Sequence, residues 1–257
     1  RRGNAESLDE QIEEIGYLVR VDRAATGLSD DGVSLGADQV VPVRAPRIGV
    51  VSGRGVSVTS FGFLWHLLDR QVGVDHHRIA IGTLPRIDLA ELDVLVLPDG
   101  RYGRQLDKRT TEAIGGWIER GGLLVAVGGA VEWAVDNRLV EVERWQAPDK
   151  DKSGDNEVVE LTPANRPIYT PGAALRTELR EHHPLASGMS SAPAAMFQGS
   201  TILLPSGDPR KDLLLVAETD PVIAGFAWPE AAERLAGSLL VGAHPRSRGG
   251  VVVFAQE

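Results

Sequence analysis

Hydrophobic and polar positions fall into a repeating rhythm from residue 47 onward, in which short apolar runs give way to stretches with helical spacing. Ile48-Gly49-Val50-Val51 is a continuous apolar run, the pattern of a central strand buried on both faces. It ends in Ser52-Gly53-Arg54-Gly55, after which Phe61, Leu64, Trp65 and Leu68 trace one side of a helix. Residues 77–81 predict a second strand, and Asp93-Val94-Leu95-Val96-Leu97-Pro98 a third, closed by Asp99-Gly100. Ala113, Ile114, Trp117 and Ile118 mark the next helix, which Gly121-Gly122 stops. Residues 123–127 form a fourth strand, and Gly128-Gly129-Ala130 turns into a helix around Trp133. This succession predicts the α/β class: a flavodoxin-like, doubly wound, mainly parallel sheet with helices on both faces. Further on, short strands at 201–204, 213–217, 222–227, 239–242 and 251–255 predict extra antiparallel strands toward the C-terminus. The last two read as a hairpin around a long basic loop at 244–249.

Two segments stand outside that rhythm. Residues 1–46 read as an attachment segment: Leu8, Ile12 and Ile15 at helical spacing after Ser7, a strand at 17–21, then a turn-rich stretch with Ser29-Asp30-Asp31-Gly32. The α/β domain then occupies 47–257, with an insertion near 137–165. There Asp149-Lys150-Asp151-Lys152-Ser153-Gly154-Asp155 reads as a solvated, mobile loop. The chain opens on Arg1 without a leader-like apolar stretch, so we expect a piece of a longer polypeptide.

Composition narrows the chemistry. Among 257 residues there is no cysteine, which excludes disulfides, thiolate zinc sites and a cysteine nucleophile within this chain. The formal charge of −9, from 36 acids against 27 bases, argues against a nucleic-acid partner, and no apolar run is long enough to span a membrane.

In an open α/β sheet, ligands bind beyond the carboxyl ends of the strands, near the point where strand order reverses. That directs attention to Ser52, Gly53, Asp99, Gly100, Arg101, Gly128 and Gly129 as candidate ligand-binding residues, with His183 added from His182-His183-Pro184. The turn after the fourth strand has the layout of a nucleophile elbow, a tight strand-to-helix turn that lifts one side chain above the sheet. Gly128 stands at the elbow and offers no nucleophile, and no Ser or Thr lies between Thr111 and Ser153. We therefore expect no catalytic residue. The glycines leave the start of the following helix open to an anion, or serve as a close strand–helix turn. The fragment Ser52-Gly53-Arg54-Gly55 lacks the rest of a phosphate loop, and none of the six histidines begins a His-x-x-Glu motif, so no metal site is expected here.

Several motifs in order carry a resemblance. They are Pro46-Arg47-Ile48-Gly49-Val50, Phe61-Gly62-Phe63-Leu64-Trp65-His66-Leu67-Leu68-Asp69, Val94-Leu95-Val96-Leu97-Pro98-Asp99-Gly100, Trp117-Ile118-Glu119-Arg120-Gly121-Gly122, His183-Pro184-Leu185-Ala186-Ser187-Gly188 and Gly249-Gly250-Val251-Val252-Val253-Phe254-Ala255, preceded by the stretch at 29–36. Together they resemble the class I glutamine-amidotransferase-like domain found C-terminal to the catalytic domain of bacterial zinc carboxypeptidases. The resemblance implies a non-catalytic accessory domain, structural or substrate-presenting, whose partner is the peptidase domain of the same polypeptide. Zinc is then expected only in the parent's peptidase domain, a secreted or periplasmic location follows from the resemblance alone, and a homo-oligomer stays open. The amidotransferase Cys position falls on Gly128, and the His-Pro-Glu motif has no counterpart, since His183-Pro184-Leu185 lacks the Glu. Two alternatives remain at this point: a small-molecule binding or sensing module at the strand ends, and an unrecognised hydrolase using Asp99, Glu132 or His183.

Overall fold

The computed structural model describes residues 34, 37–38, 44–146, 169–187, 189 and 192–256. The chain divides into two compact units, Arg1–Ala45 and Pro46–Glu257, and the strands and helices of the described residues belong to the second. The predicted helix at 8–15, the strand at 17–21, the turn at 29–32 and the loop at 149–155 lie outside the described residues.

An eight-stranded sheet forms the centre of the domain, in the order β2-β1-β3-β4-β11-β10-β8-β6. Its first part is parallel: β1 (Ile48–Ser52) pairs with β2 (His76–Ala80) and β3 (Val94–Leu97), β3 pairs with β4 (Leu123–Val127), and β4 with β11 (Gly249–Phe254). The order 2-1-3-4 followed by a further parallel strand is the flavodoxin-like arrangement, with the switch point between β1 and β3. Beyond β11 the sheet turns antiparallel through β10 (Leu239–Arg246), β8 (Asp212–Val216) and β6 (Thr177–Leu179). The chain is thus a mixed α/β protein with a mainly parallel central sheet and antiparallel additions. A separate three-stranded antiparallel sheet, β7-β5-β9, is built from β5 (Thr170–Leu175), β7 (Ala195–Gly199) and β9 (Val222–Phe226).

Each face of the central sheet has its own cover. Ile48, Val50 and Val96 point to one side and pack under Phe61, Leu64 and Leu68, from α1 (Val58–His66) and the π-helical turn Leu67–Val72 that prolongs it. Val51, Leu95, Leu97 and Leu124 join the larger cluster, which contains Ile114, Trp117 and Ile118 of α2 (Lys108–Glu119) and Trp133 of α3 (Gly129–Asp136). Asp107 caps α2 by accepting from the Thr110 N–H at 2.8 Å, and the helix ends at the glycine pair foreseen from sequence. Trp117 fixes this end: its indole N–H donates to the Leu92 carbonyl at 3.1 Å, and its ring lies where a Cβ on Gly122 would fall, 2.2 Å away.

The C-terminal half departs from the expected pattern in three places. Residues 201–204 are not a strand; Leu203 makes only isolated bridges, to Arg144 and Leu239. The long loop expected at 244–249 is a two-residue turn, Ser247-Arg248, because β10 continues through Pro245, which stands opposite Gly250. Arg246 anchors that turn by bonding Glu119 at 2.9 Å and the Arg138 carbonyl at 2.5 Å. Finally, a short helix, α4 (Pro229–Leu235), follows β9.

β10 also carries a buried imidazole. His244 is 7% exposed, and its Nε2 has no hydrogen-bond partner among the described residues. Burial, with the Lys211 ammonium adding to it and the Asp212 carboxylate opposing it, holds His244 below the ordinary imidazole value of 6.5. A folded-state pKa below the unfolded one means that the unfolded chain binds the proton more readily. This contribution to stability is therefore complete above about pH 6.5 and is lost as pH falls through the folded value. We expect urea midpoints to drop with acidification across that window, and a His244→Phe variant to drop less than the parent. Equal pH profiles for the two proteins would refute the assignment.

Candidate functional site

Three strand-end turns meet at the switch point. After β1 the chain turns through Gly53 and Gly55, both at positive φ, and Ser57 begins α1 by accepting from the Ser60 N–H at 3.2 Å. The turn is stitched to the end of β3: Val56 bridges Gly100, Ser57 N donates to the Asp99 carbonyl at 2.7 Å, and Arg101 N donates to the Gly55 carbonyl at 2.7 Å. Ser60 closes the link, its hydroxyl accepting from Asp99 N at 2.9 Å. A Cβ on Gly100 would lie 2.6 Å from the Gly55 carbonyl, so only glycine allows this approach.

The third turn is the elbow. Gly128 has φ 54° and ψ −120°, a conformation that side-chain-bearing residues rarely adopt, and it leads straight into α3. The space above it is occupied. A Cβ on Gly128 would stand 2.5 Å from Asp99 Oδ1, and that same oxygen accepts from the Gly129 N–H at 2.8 Å. Asp99 therefore reaches across from the neighbouring strand, fills the place of an elbow side chain, and caps the first N–H of α3. Of the two readings of the glycines, the close turn that needs small residues is the one found, and the anion reading gives way at Gly129, whose N–H a resident carboxylate already takes. Gly129 is required for a second reason, since its Cβ would fall 2.3 Å from the Gly100 carbonyl.

Above these turns opens a cleft of about 1220 Å³. Its floor is Asp99, Gly100, Arg101, Gly128 and Gly129; Ser57, Thr59 and the 65% exposed Phe63 line one side. The small sheet contributes Pro171, Gly172, Met196 and Gln198, and the chain continues through Gly199 and Ser200 to Thr201. Glu132 of α3 accepts a 2.5 Å hydrogen bond from the Thr201 hydroxyl, tying the helix to that wall. Gln256, just past β11, accepts from Gln198 N at 3.3 Å. Beneath the floor, buried Tyr102 donates to the Pro98 carbonyl at 2.8 Å, and burial together with the Asp99 charge raises its phenol above the ordinary range.

Five of the eight residues expected from sequence thus share one cleft: Asp99, Gly100, Arg101, Gly128 and Gly129. Ser52 and Gly53 do not line it, and the Ser52 hydroxyl donates instead to the Ile79 carbonyl at 3.4 Å. His183 is elsewhere. It is buried, and its Nδ1 accepts from Leu185 N at 3.1 Å to cap the short 3-10 turn Pro184–Ala186. Of the three residues named for a hydrolase, Asp99 and Glu132 both line the cleft and His183 does not. Sequence patterns do not point to Thr201, Gln198 or Gln256, which come from segments distant in the chain, nor to Phe63 on α1. Only Ser57 carried a local signal, as a helix cap ahead of an apolar run.

Among the described residues, no group of three or more His, Cys, Asp or Glu side chains is placed to hold a metal ion, and no helix is long and apolar enough to cross a membrane.

Neither a family model nor a curated protein matches the chain. Similar solved structures include a protein described as ThuA-like from Parabacteroides merdae, at 13% identity and TM-score 0.49 over 82% of this chain and 79% of that one. Another, described as a GMP synthase subunit from Thermoplasma acidophilum, shares 12% identity at TM-score 0.41 over 83% and 84%. An exo-β-1,4-mannosidase from an Opitutaceae bacterium shares 16% identity at TM-score 0.46 over 82% of this chain, which spans 31% of that enzyme's length. At such identities and scores these likenesses carry nothing about activity, and the doubly wound fold rests on the strand order and directions of the chain itself.

Proposed function

We propose that this chain is a non-catalytic accessory domain, of the kind found beside the catalytic domain in bacterial zinc carboxypeptidases, whose strand-end cleft binds without reacting. The observation that carries this reading is Asp99: its Oδ1 holds the Gly129 N–H in the space an elbow nucleophile would need. Acyl transfer requires a nucleophile and a base within hydrogen-bond reach of it. Gly128 supplies no nucleophile, and His183 caps a turn outside the cleft.

The test compares the isolated chain with the full-length protein on peptides with free C-termini, with zinc added, and on glutamine. The isolated chain should release neither amino acids nor ammonia, while the full-length protein should shorten the peptides. Turnover by the isolated chain would sink the non-catalytic reading, and an inactive full-length protein would sink the carboxypeptidase parentage alone.

A second reading, small-molecule binding or sensing, draws on Arg101. Its exposed guanidinium stands at the cleft and makes no hydrogen bond or ion pair among the described residues. This reading expects a compact ligand held by Arg101 and the free oxygens of Asp99 and Glu132.

A further inference from the structure

We propose that the cleft receives an extended peptide, which adds as a further strand to the free edge of β7. The inference rests on the reading of the cleft as a site that binds without chemistry, and it names the occupant. Among the described residues, β7 has a strand on one side only in the small sheet. The other edge is turned toward the cleft: Gln198 N donates to no strand but to the side-chain Oε1 of Gln256, and both residues line the cleft. Successive residues of a strand direct their backbone groups to opposite edges, so Met196 presents its N–H and C=O on the same side as Gln198. The Gln256 amide oxygen thus stands where the carbonyl of an incoming strand would accept.

Three further features fit an extended chain. Residues Ala195-Met196-Phe197-Gln198-Gly199 carry no charge or proline, the usual devices that keep an edge from pairing. Met196, 62% exposed, and Phe63, 65% exposed, offer apolar contact inside the cleft, and Phe197, on the opposite face of the strand, is buried. A peptide strand alternates its side chains, so one set meets this apolar pair while main-chain hydrogen bonds supply affinity with little demand on sequence. The cleft, at about 1220 Å³, also exceeds the range of about 300–1,000 Å³ common for compact ligands. The opposite edge of the sheet, β9, contributes no residue to the cleft.

The probe is an acetylated and amidated peptide of alternating leucine and threonine, about 6 residues long, matching the span of a short strand. It is titrated into the isotope-labelled full chain, in parallel with two versions N-methylated at every second amide, one in each register. Hydrogen exchange at Met196 and Gln198 is expected to slow at least about tenfold with the parent peptide. One N-methylated register should preserve that protection and the other abolish it, because only one edge of the peptide faces β7. Gln256→Ala, which removes the internal competitor for Gln198 N, should tighten binding. Unaltered exchange at both residues, equal behaviour of the two N-methylated registers, or loss of binding in Gln256→Ala would each overturn the proposal. Mass spectra of the same samples separate the two ideas. A peptide that binds at β7 and is cut refutes the non-catalytic reading but not the occupant; a peptide that neither binds nor is cut refutes the occupant alone.

Discussion

Gly128→Ala is expected to destabilise the domain by roughly 2–5 kcal/mol, combining the cost of a side chain at an unfavourable φ/ψ with that of forcing a methyl group into filled space. The backbone there has φ 54° and ψ −120°, set by the strand-to-helix turn, so the first cost is unavoidable. The second falls on Asp99. Its Oδ1 lies 2.5 Å from the position of the new methyl and can move away only by releasing the Gly129 N–H. The start of α3 then loses its cap, which alone is worth about 1 kcal/mol. Because α3 carries Trp133 into the main cluster, the loss is expected to spread to the core rather than remain a surface defect. Urea unfolding at fixed pH measures the effect, and a change under about 0.5 kcal/mol, typical of an unconstrained surface site, would contradict the account.

Trp117→Ala should cost more still, about 3–5 kcal/mol, the range for deleting a large aromatic from a core. The ring is 3% exposed and sits between α2 and the turn at Gly122. Removing it also leaves the Leu92 carbonyl without its indole donor. Trp117→Phe isolates that bond: most of the apolar volume returns, and the residual deficit reports the hydrogen bond and the missing ring. We expect Phe to recover more than half of the loss. A variant that recovers nothing would place the weight of Trp117 on its N–H rather than on packing.

The part of the fold that is readable in sequence is the part made of strong local patterns. β1, β3 and β4 are unbroken apolar runs because both faces of each are covered, and α2 shows Ile114, Trp117 and Ile118 at helical spacing on a single buried side. The later elements lack such signals. β5 reads Thr-Pro-Gly-Ala-Ala-Leu and β7 reads Ala-Met-Phe-Gln-Gly, compositions poor in strand formers, and both are strands because each has a neighbour to pair with. From sequence β10 ends at Gly242, because a proline inside a run argues against a strand. Pro245 is tolerated opposite Gly250, beside a two-residue turn.

The candidate site divides in the same way. Asp99, Gly100, Gly128 and Gly129 are legible as strand-end punctuation, since an open α/β sheet directs its crevice there. That Asp99 bonds the amide of Gly129, across thirty residues of sequence, is not legible, because no local pattern encodes the packing of adjacent strand ends. Asp99 turns the glycine pair from a missing side chain into a filled position. Pro184 and Gly188 mark a turn in sequence, and that reading holds: His183 Nδ1 accepts from Leu185 N in a buried turn and does not serve the cleft.

A double-mutant cycle on Gly128 and Asp99 tests most directly the claim that Asp99 occupies the elbow. Unfolding free energies are measured for the parent, Gly128→Ala, Asp99→Ala and the double variant. If the carboxylate fills the space above Gly128, the alanine at 128 should cost about 1–3 kcal/mol less once Asp99 is truncated, leaving the backbone strain and the 3.1 Å approach to the Cβ of residue 99. Strictly additive costs would mean that the two positions do not share that space, and would contradict the account.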